Sequence, residues 1–169
     1  MDAIDHVVMN SRLHYLGMAA RARETALKLA VLTCMDARVD VSRLLGLQPG
    51  DAHVIRNAGG RPTDDAIRSI AVSQAVLGTR EVMVIHHTDC ALGRLTQEEI
   101  ADRISAETGR RFVEAVGCFT NPIQAVAEDL KLLRTHVSLA HREKIRGFIY
   151  DLMANSLTEV PTAAPPDRV

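Results

Sequence analysis

The chain has 169 residues, of which 47% are hydrophobic and 24% charged, and its formal net charge at pH 7 is −1. These values are typical of one soluble globular domain with a sizeable core, and they exclude a disordered chain. Because acidic and basic residues are balanced and interspersed, we expect neither a nucleic-acid partner nor a membrane partner.

The three cysteines are an odd number, which argues against a disulfide framework. Residues 1–5 lack the basic and apolar regions of a signal peptide. No apolar run approaches the ~20 residues that span a bilayer. Together these features predict a cytoplasmic protein.

Residues 1–26 predict an N-terminal helical arm, whose apolar pattern is too loose for a simple core-facing helix. A single α/β domain is predicted over residues 27–160. Residues 161–169 are rich in proline and alanine and predict a flexible tail.

Within the domain, predicted strands alternate with predicted helices. Compact apolar runs predict strands at 27–34, 52–56, 81–87 and 145–152, with a last strand at 157–160 after a turn. Helix N-caps are predicted at Thr63, Thr96 and Asn121, and helix stops at Gly78 and Gly109. This alternation predicts an α/β fold with a mostly parallel central β-sheet flanked by helices.

Soft metal ligands follow two of the predicted strands. Cys34 closes the first strand, whereas His87 and Cys90 lie at the end of the third. If these strands are neighbours, the three side chains converge at the carboxyl edge of the sheet, where α/β proteins bind ligands. Two thiolates and one imidazole suit zinc, and three protein ligands leave one coordination position open. The sequence therefore predicts a zinc enzyme, since Cys118 lacks metal-like spacing to the others.

Asp36 and Arg38 project to the same side of an extended segment that follows Cys34. Paired with Arg38, the Asp36 carboxylate stays ionised and off the metal; unpaired, it is itself a ligand for the open position. The sequence leaves both arrangements open. For the neighbouring His86 we expect a packing role or a contact that supports the metal ligands, and for Asp89 a turn or cap hydrogen bond.

Several of these motifs resemble those of the β-class carbonic anhydrases. The double histidine His86-His87 is similar to the one found in a short bacterial branch of that family. The resemblance is carried by Cys34-x-Asp36-x-Arg38, His86-His87-Thr88-Asp89-Cys90, Val54–Gly59 and Asp64–Ser69. It implies a β-carbonic anhydrase-like fold with zinc on the two cysteines and His87. It also implies that Asp36 and Arg38 form a dyad that controls access to the open metal position and orients the zinc-bound hydroxide.

The resemblance further implies a homodimer or a dimer of dimers, with the N-terminal arm crossing onto the partner near the active site. The backbone N–H of Ala91, just after Cys90, would polarise the substrate. Gly59 would line the substrate pocket or contact the metal ligands. Family members usually carry glycine at the position of Ala91, so the donor is kept but the local backbone is less free.

The implied activity is reversible hydration of carbon dioxide to bicarbonate by zinc hydroxide. The same branch includes enzymes that hydrolyse carbonyl sulfide, and related ones act on carbon disulfide. All three molecules are linear, apolar and electrophilic at carbon, so hydrolysis with hydrogen sulfide release is the alternative. A third hypothesis is a non-catalytic zinc-binding or redox module in which Asp36 fills the fourth position permanently; the intact dyad disfavours it.

Overall fold

The structure is a computed structural model that describes residues 3–4, 7–8 and 23–161. Residues 3–4 and 7–8 are helical and exposed. The rest of the predicted arm up to residue 22, and the tail beyond residue 161, lie outside the described residues, so both stay predictions. No helix in the described part of the chain is long and apolar enough to cross a membrane.

One sheet organises the described residues. Its strands are β1 (Leu29–Cys34), β2 (Ala52–Asn57), β3 (Glu81–His87), β4 (Ile145–Asp151) and β5 (Ser156–Glu159). Their order across the sheet is β2-β1-β3-β4-β5. The first four strands are parallel, and β5 returns antiparallel to β4. The α/β fold with a mostly parallel sheet is therefore confirmed.

The helices lie in the connections between these strands. They are α1 (Val41–Leu45), α2 (Asp64–Ala75), α3 (Ala91–Arg94), α4 (Gln97–Thr108) and α5 (Pro122–Thr135), with a 3-10 turn at Ala58–Gly60. The sequence did not predict α1, α3 or the 3-10 turn, because one helical turn is too short to show a periodic pattern.

The predicted caps are confirmed. The Thr63 side chain accepts from the Ala66 N–H, and Thr96 forms a capping box with Glu99. The Asn121 side chain accepts from two N–H groups of the first turn of α5. Gly109 ends α4 in the left-handed conformation. Gly78 has a φ of 78°, and the N–H that follows it donates back to a carbonyl of α2, which closes that helix.

Two sequence predictions about the elements are corrected. β1 begins at Leu29 rather than at residue 27, because Lys28 has a φ of 52° and breaks the extended backbone. The helical spacing of apolar residues after Asn121 predicts one apolar stripe that includes Ile123 and Val137, but these two side chains are 57% and 91% exposed. Ile123 lies in the first turn of α5, and Val137 lies beyond its end at Thr135.

The order of the strands positions the functional residues. β1 pairs with β2 on one side and β3 on the other, so successive connections leave in opposite directions and open a crevice at the strand ends. Apolar side chains alternate between the two faces, with Val31 and Ile85 on one and Leu32 and Val84 on the other. Both faces are covered, which explains the continuous apolar runs in the sequence.

Candidate metal centre and active site

Cys34, His87 and Cys90 meet at the carboxyl edge of the sheet. Cys34 ends β1, His87 ends the neighbouring β3, and Cys90 begins the turn into α3. Their sulfur and nitrogen ligand atoms all lie within 4.8 Å of one another, and the two Sγ atoms are 4.0 Å apart. The three side chains are buried. The structure thus brings together the three residues that the sequence singled out as metal ligands.

The state of His87 fits a metal ligand. Its Nδ1 lies 2.8 Å from the Thr88 carbonyl oxygen, so Nδ1 carries the proton and Nε2 has a free lone pair. That Nε2 atom is buried and makes no hydrogen bond within the described residues. Leaving a buried polar atom unsatisfied costs about 1–3 kcal/mol, which a metal ion at this point would remove. One imidazole nitrogen and two thiolate sulfurs are ligands that zinc prefers in proteins.

The contact between the Cys34 and Cys90 thiols shifts their pKa values in opposite directions. The side-chain hydrogen bond from Cys90 lowers the pKa of Cys34 well below its usual range, against the opposing effect of burial, and His87 lowers it further. The same contact, together with burial, raises the pKa of Cys90. The contact between the two thiols therefore favours ionisation of Cys34, and a divalent cation would displace the proton that remains on Cys90.

The backbone around Cys34 depends on the two glycines after β2. Gly59 and Gly60 have φ values of 75° and 68°, and a Cβ on Gly60 would lie 2.8 Å from the Cys34 backbone nitrogen. The Gly59 N–H contacts the Cys34 sulfur and helps to lower its pKa. Arg56 donates from Nε to the Cys34 carbonyl at 3.0 Å, which fixes the end of β1. Ala91 opens α3 directly after Cys90 and is exposed.

Asp36 and Arg38 adopt the paired arrangement. Arg38 donates from Nε to Asp36 Oδ1 at 3.0 Å and from Nη2 to Oδ2 at 2.7 Å. The Arg38 N–H also donates to Oδ1 at 2.9 Å. These contacts hold the pKa of Asp36 well below its usual range, so the carboxylate is ionised. Asp36 Oδ2 lies 3.9 Å from Nε2 of His87, which places the dyad beside the three ligand atoms.

Asp89 makes contacts that the sequence did not predict. It has a φ of 57°, and its Oδ2 and backbone oxygen accept from Arg38 at 2.8 and 3.1 Å. Its Oδ1 accepts from Arg94 Nη1 at 2.9 Å. A turn or cap hydrogen bond was expected for the Asp89 side chain. Asp89 does lie in a turn, but the contacts found for its carboxylate are the ion pairs with Arg38 and Arg94. The ion pairs were missed because nothing in the sequence joins residues 38 and 89.

A second polar cluster lies inside the fold behind the ligands. His86 Nε2 is 2.9 Å from Asp129 Oδ2, and Arg61 Nη2 is 3.1 Å from Asp129 Oδ1. His86 also lies on the Phe119 ring, with centroids 5.3 Å apart. His86 thus has the packing role that was expected. Arg61 and Asp129 were missed, although an acid on the buried stripe of α5 was the available signal.

Apolar side chains surround the ligand cluster. Those packed against the two ligand cysteines and Leu92 are Ala58, Ile100, Val116, Cys118 and Phe119. Cys118 is half-buried and contributes to this wall without joining the three ligand atoms. A separate cavity of about 450 Å³ borders this wall at Cys118 and Phe119, but its lining is mostly polar and includes none of the three ligand residues. The apolar wall itself is suited to small apolar molecules.

Comparisons with known proteins agree with this geometry. The family model described as carbonic anhydrase matches residues 29–154. β-Carbonic anhydrase 1 of Mycobacterium tuberculosis is 41% identical over 132 residues, which cover 78% of this chain and 81% of the relative. A carbon disulfide hydrolase of an Acidianus species is 36% identical over 155 residues, covering 77% of this chain and 76% of the relative.

Solved structures show the same likeness. A carbonic anhydrase from Streptococcus mutans superimposes with a TM-score of 0.89 at 35% identity, covering 95% of this chain and 99% of that one. The apo form of a carbon disulfide hydrolase superimposes with a TM-score of 0.70 at 29% identity, covering 95% and 91%. From the family match and these relatives, the chain belongs to the β-carbonic anhydrase family.

Proposed function

We propose that this protein catalyses the reversible hydration of carbon dioxide to bicarbonate, with zinc bound by Cys34, His87 and Cys90. The observation that carries the proposal is the convergence of those ligand atoms within 4.8 Å. Beside them lies the Asp36 carboxylate, which accepts two side-chain hydrogen bonds from Arg38. Membership of the family supports a lyase. Three protein ligands leave a tetrahedral zinc one position for chemistry.

Zinc held by Cys34, His87 and Cys90 would lower the pKa of a bound water molecule from ~15.7 toward neutrality and would so supply a nucleophile at usable pH. Asp36 orients that nucleophile. Because Arg38 keeps the carboxylate ionised, Asp36 Oδ2 accepts a hydrogen bond and donates none. An O–H beside Asp36 therefore points at Oδ2, and the oxygen lone pair is left free for the substrate carbon.

The wall around the ligands completes the substrate site. Leu92, Val116 and Phe119 pack beside the ligand cysteines and exclude water, which favours a linear apolar molecule. We assign the Ala91 N–H, at the start of α3, to the substrate oxygen as a hydrogen-bond donor. Gly59 acts on a metal ligand and not on the substrate, because its N–H contacts the Cys34 sulfur.

Hydrolysis of carbonyl sulfide or carbon disulfide is the second candidate. The specific observation in its favour is the Acidianus relative, which is named a carbon disulfide hydrolase and matches 77% of this chain. The same apolar wall accepts either molecule, and small differences in such a wall change selectivity by only ~1–3 kcal/mol. A non-catalytic zinc module is the third candidate, and it would require Asp36 to leave Arg38.

Stopped-flow carbon dioxide hydration by protein of verified zinc content tests the proposal. We expect fast, zinc-dependent turnover at alkaline pH. In parallel, sulfide release from carbonyl sulfide and from carbon disulfide is measured on the same sample. Fast sulfide release with slow hydration would replace the first candidate by the second, and inertness toward all three substrates would leave the zinc module.

Arg38→Ala tests the role of the dyad. Without the guanidinium, Asp36 is free to occupy the open metal position and no longer orients the nucleophile. We expect turnover to fall by roughly 100-fold or more, the range for loss of a positioned acid or base, with zinc content unchanged. Arg43→Ala, an exposed arginine in α1, is the matched control. Turnover of Arg38→Ala within a few-fold of the unmodified protein would remove the dyad from the mechanism.

We further propose a homodimer or a dimer of dimers. Strand β2 is an edge strand of the sheet that the described residues form, and its Val54 is 42% exposed. Val72 in α2 and Val76 at the end of α2 are 48% and 71% exposed, and these exposed apolar side chains support the proposal. Light scattering coupled to gel filtration gives the mass in solution. A particle of 18.5 kDa, the mass of one chain, would contradict the proposal.

A further inference from the structure

Arg38 is held from two sides. Its Nε and one Nη2 bond go to the Asp36 carboxylate, whereas Nη1 donates to Asp89 Oδ2 at 2.8 Å. Nη2 also donates to the Asp89 backbone oxygen at 3.1 Å. The guanidinium is planar and its donors are fixed relative to one another, so a partner on one edge determines where the other edge lies.

Asp89 is itself held on its far side. Its Oδ1 accepts from Arg94 Nη1 at 2.9 Å, so the charges alternate along the row Asp36, Arg38, Asp89 and Arg94. We name these four residues the charge row. Arg94 ends α3 and Asp89 lies directly before Cys90, so the row joins the dyad to the turn that carries a metal ligand.

We propose that Asp89 and Arg94 are positioning residues for the dyad: they fix Arg38 so that Asp36 stays off the open metal position. The proposal rests on the function proposed above, because it concerns that same metal centre. Asp89 acts through Arg38, and Arg94 acts through Asp89. Since Asp36 Oδ2 is already 3.9 Å from His87 Nε2, a small displacement of Arg38 is enough to change what Asp36 contacts.

Asp89→Asn is the variant that separates charge from backbone shape. Asparagine tolerates the left-handed conformation that Asp89 adopts at φ 57°, so the turn before Cys90 is kept. The ionic contact with Arg38 and the one with Arg94 are both lost. Arg94→Met removes only the outer end of the row, so we expect a smaller effect in the same direction.

The experiment uses cobalt-substituted protein and thiocyanate as a probe for the open position. Visible absorption of cobalt reports the ligands directly, and titration gives the thiocyanate dissociation constant without any turnover. We expect Asp89→Asn to weaken thiocyanate binding by about fivefold or more, because Asp36 then competes for the metal. That ratio is of the order of 1 kcal/mol.

The sign of the change distinguishes positioning from simple electrostatics. Removing a negative charge near the centre, with no change in Asp36, would make an anion bind more tightly. Tighter or unchanged binding in Asp89→Asn would therefore overturn the proposal. Glu81→Gln, which removes an exposed paired carboxylate at the opposite end of β3, is the matched control and should leave binding unchanged.

A second background tests whether Asp89 acts through Asp36. In Asp36→Ala no carboxylate competes for the metal, so adding Asp89→Asn should no longer weaken thiocyanate binding. An equal weakening in both backgrounds would overturn the proposal. Failure of the unmodified protein to bind cobalt would overturn the metal centre itself, whereas normal binding with unaffected variants would overturn only the role of the charge row.

Discussion

Cys34→Ser should lose its zinc and, with it, turnover. Serine keeps the shape of the side chain but replaces a thiolate by a neutral hydroxyl, which is a poor zinc ligand. Loss of outer partners of metal ligands alone costs ~10–100-fold in affinity, so we expect removal of a ligand to exceed 100-fold. The measurement is zinc per chain after dialysis against a weak chelator, with carbon dioxide hydration followed on the same samples.

Cys118→Ser is the matched control for this change. Cys118 is the remaining cysteine, it is half-buried in the same apolar wall, and it does not belong to the three converging ligand atoms. We expect it to retain about one zinc ion per chain, as the three-ligand site requires. Tightly bound stoichiometric zinc in Cys34→Ser would remove Cys34 from the ligand set and leave the proposed centre without support.

Asp129→Ala should strongly lower folding stability. Asp129 is 2% exposed, and its two oxygens contact His86 and Arg61. Removing the carboxylate leaves the Arg61 guanidinium, 17% exposed, without its counter-charge inside the fold. Breaking a buried ion pair in this way costs about 3–5 kcal/mol, a large share of the total stability of a domain. Urea unfolding measures the difference.

Glu128→Ala supplies the control for the Asp129 variant. It removes the neighbouring acid of the same helix, which is exposed and contacts only Gln124 among the hydrogen bonds found for it. We expect a change within about 0.5 kcal/mol. If Asp129→Ala cost no more than Glu128→Ala, the cluster behind the ligands would carry no stability.

A double replacement separates the cost of a broken pair from the net value of an intact one. Arg61→Met with Asp129→Leu removes both charges and fills the space with apolar groups, an exchange that is often neutral or stabilising. We therefore expect the double variant to be more stable than Asp129→Ala. Stability equal to or below that of Asp129→Ala would mean that the hydrogen bond to His86, and not the charge on Arg61, accounts for the loss.

The sequence by itself determined the fold class and the candidate ligand set. Continuous apolar runs such as 27–34 predicted buried parallel strands, because a strand covered on both faces has no polar side. Cys34 and His87 were recognisable because soft ligands at the ends of such runs are placed by topology alone at one edge of a sheet. Caps such as Thr96 with Glu99 were equally readable, because each depends on contacts within four residues.

The tertiary structure decided which arrangement Asp36 adopts and what surrounds the ligands. Local sequence allows the Asp36 carboxylate either to pair with Arg38 or to coordinate the metal. The pairing is stabilised because Arg38 lies between Asp36 and Asp89, and Asp89 is 51 residues from Arg38 in the sequence. The contact of His86 with Asp129 likewise spans 43 residues. Such contacts follow from the packing of separate elements, and no local pattern encodes them. Local propensities and apolar periodicity therefore specify the elements, whereas the electrostatic environment of the site exists only once those elements have packed.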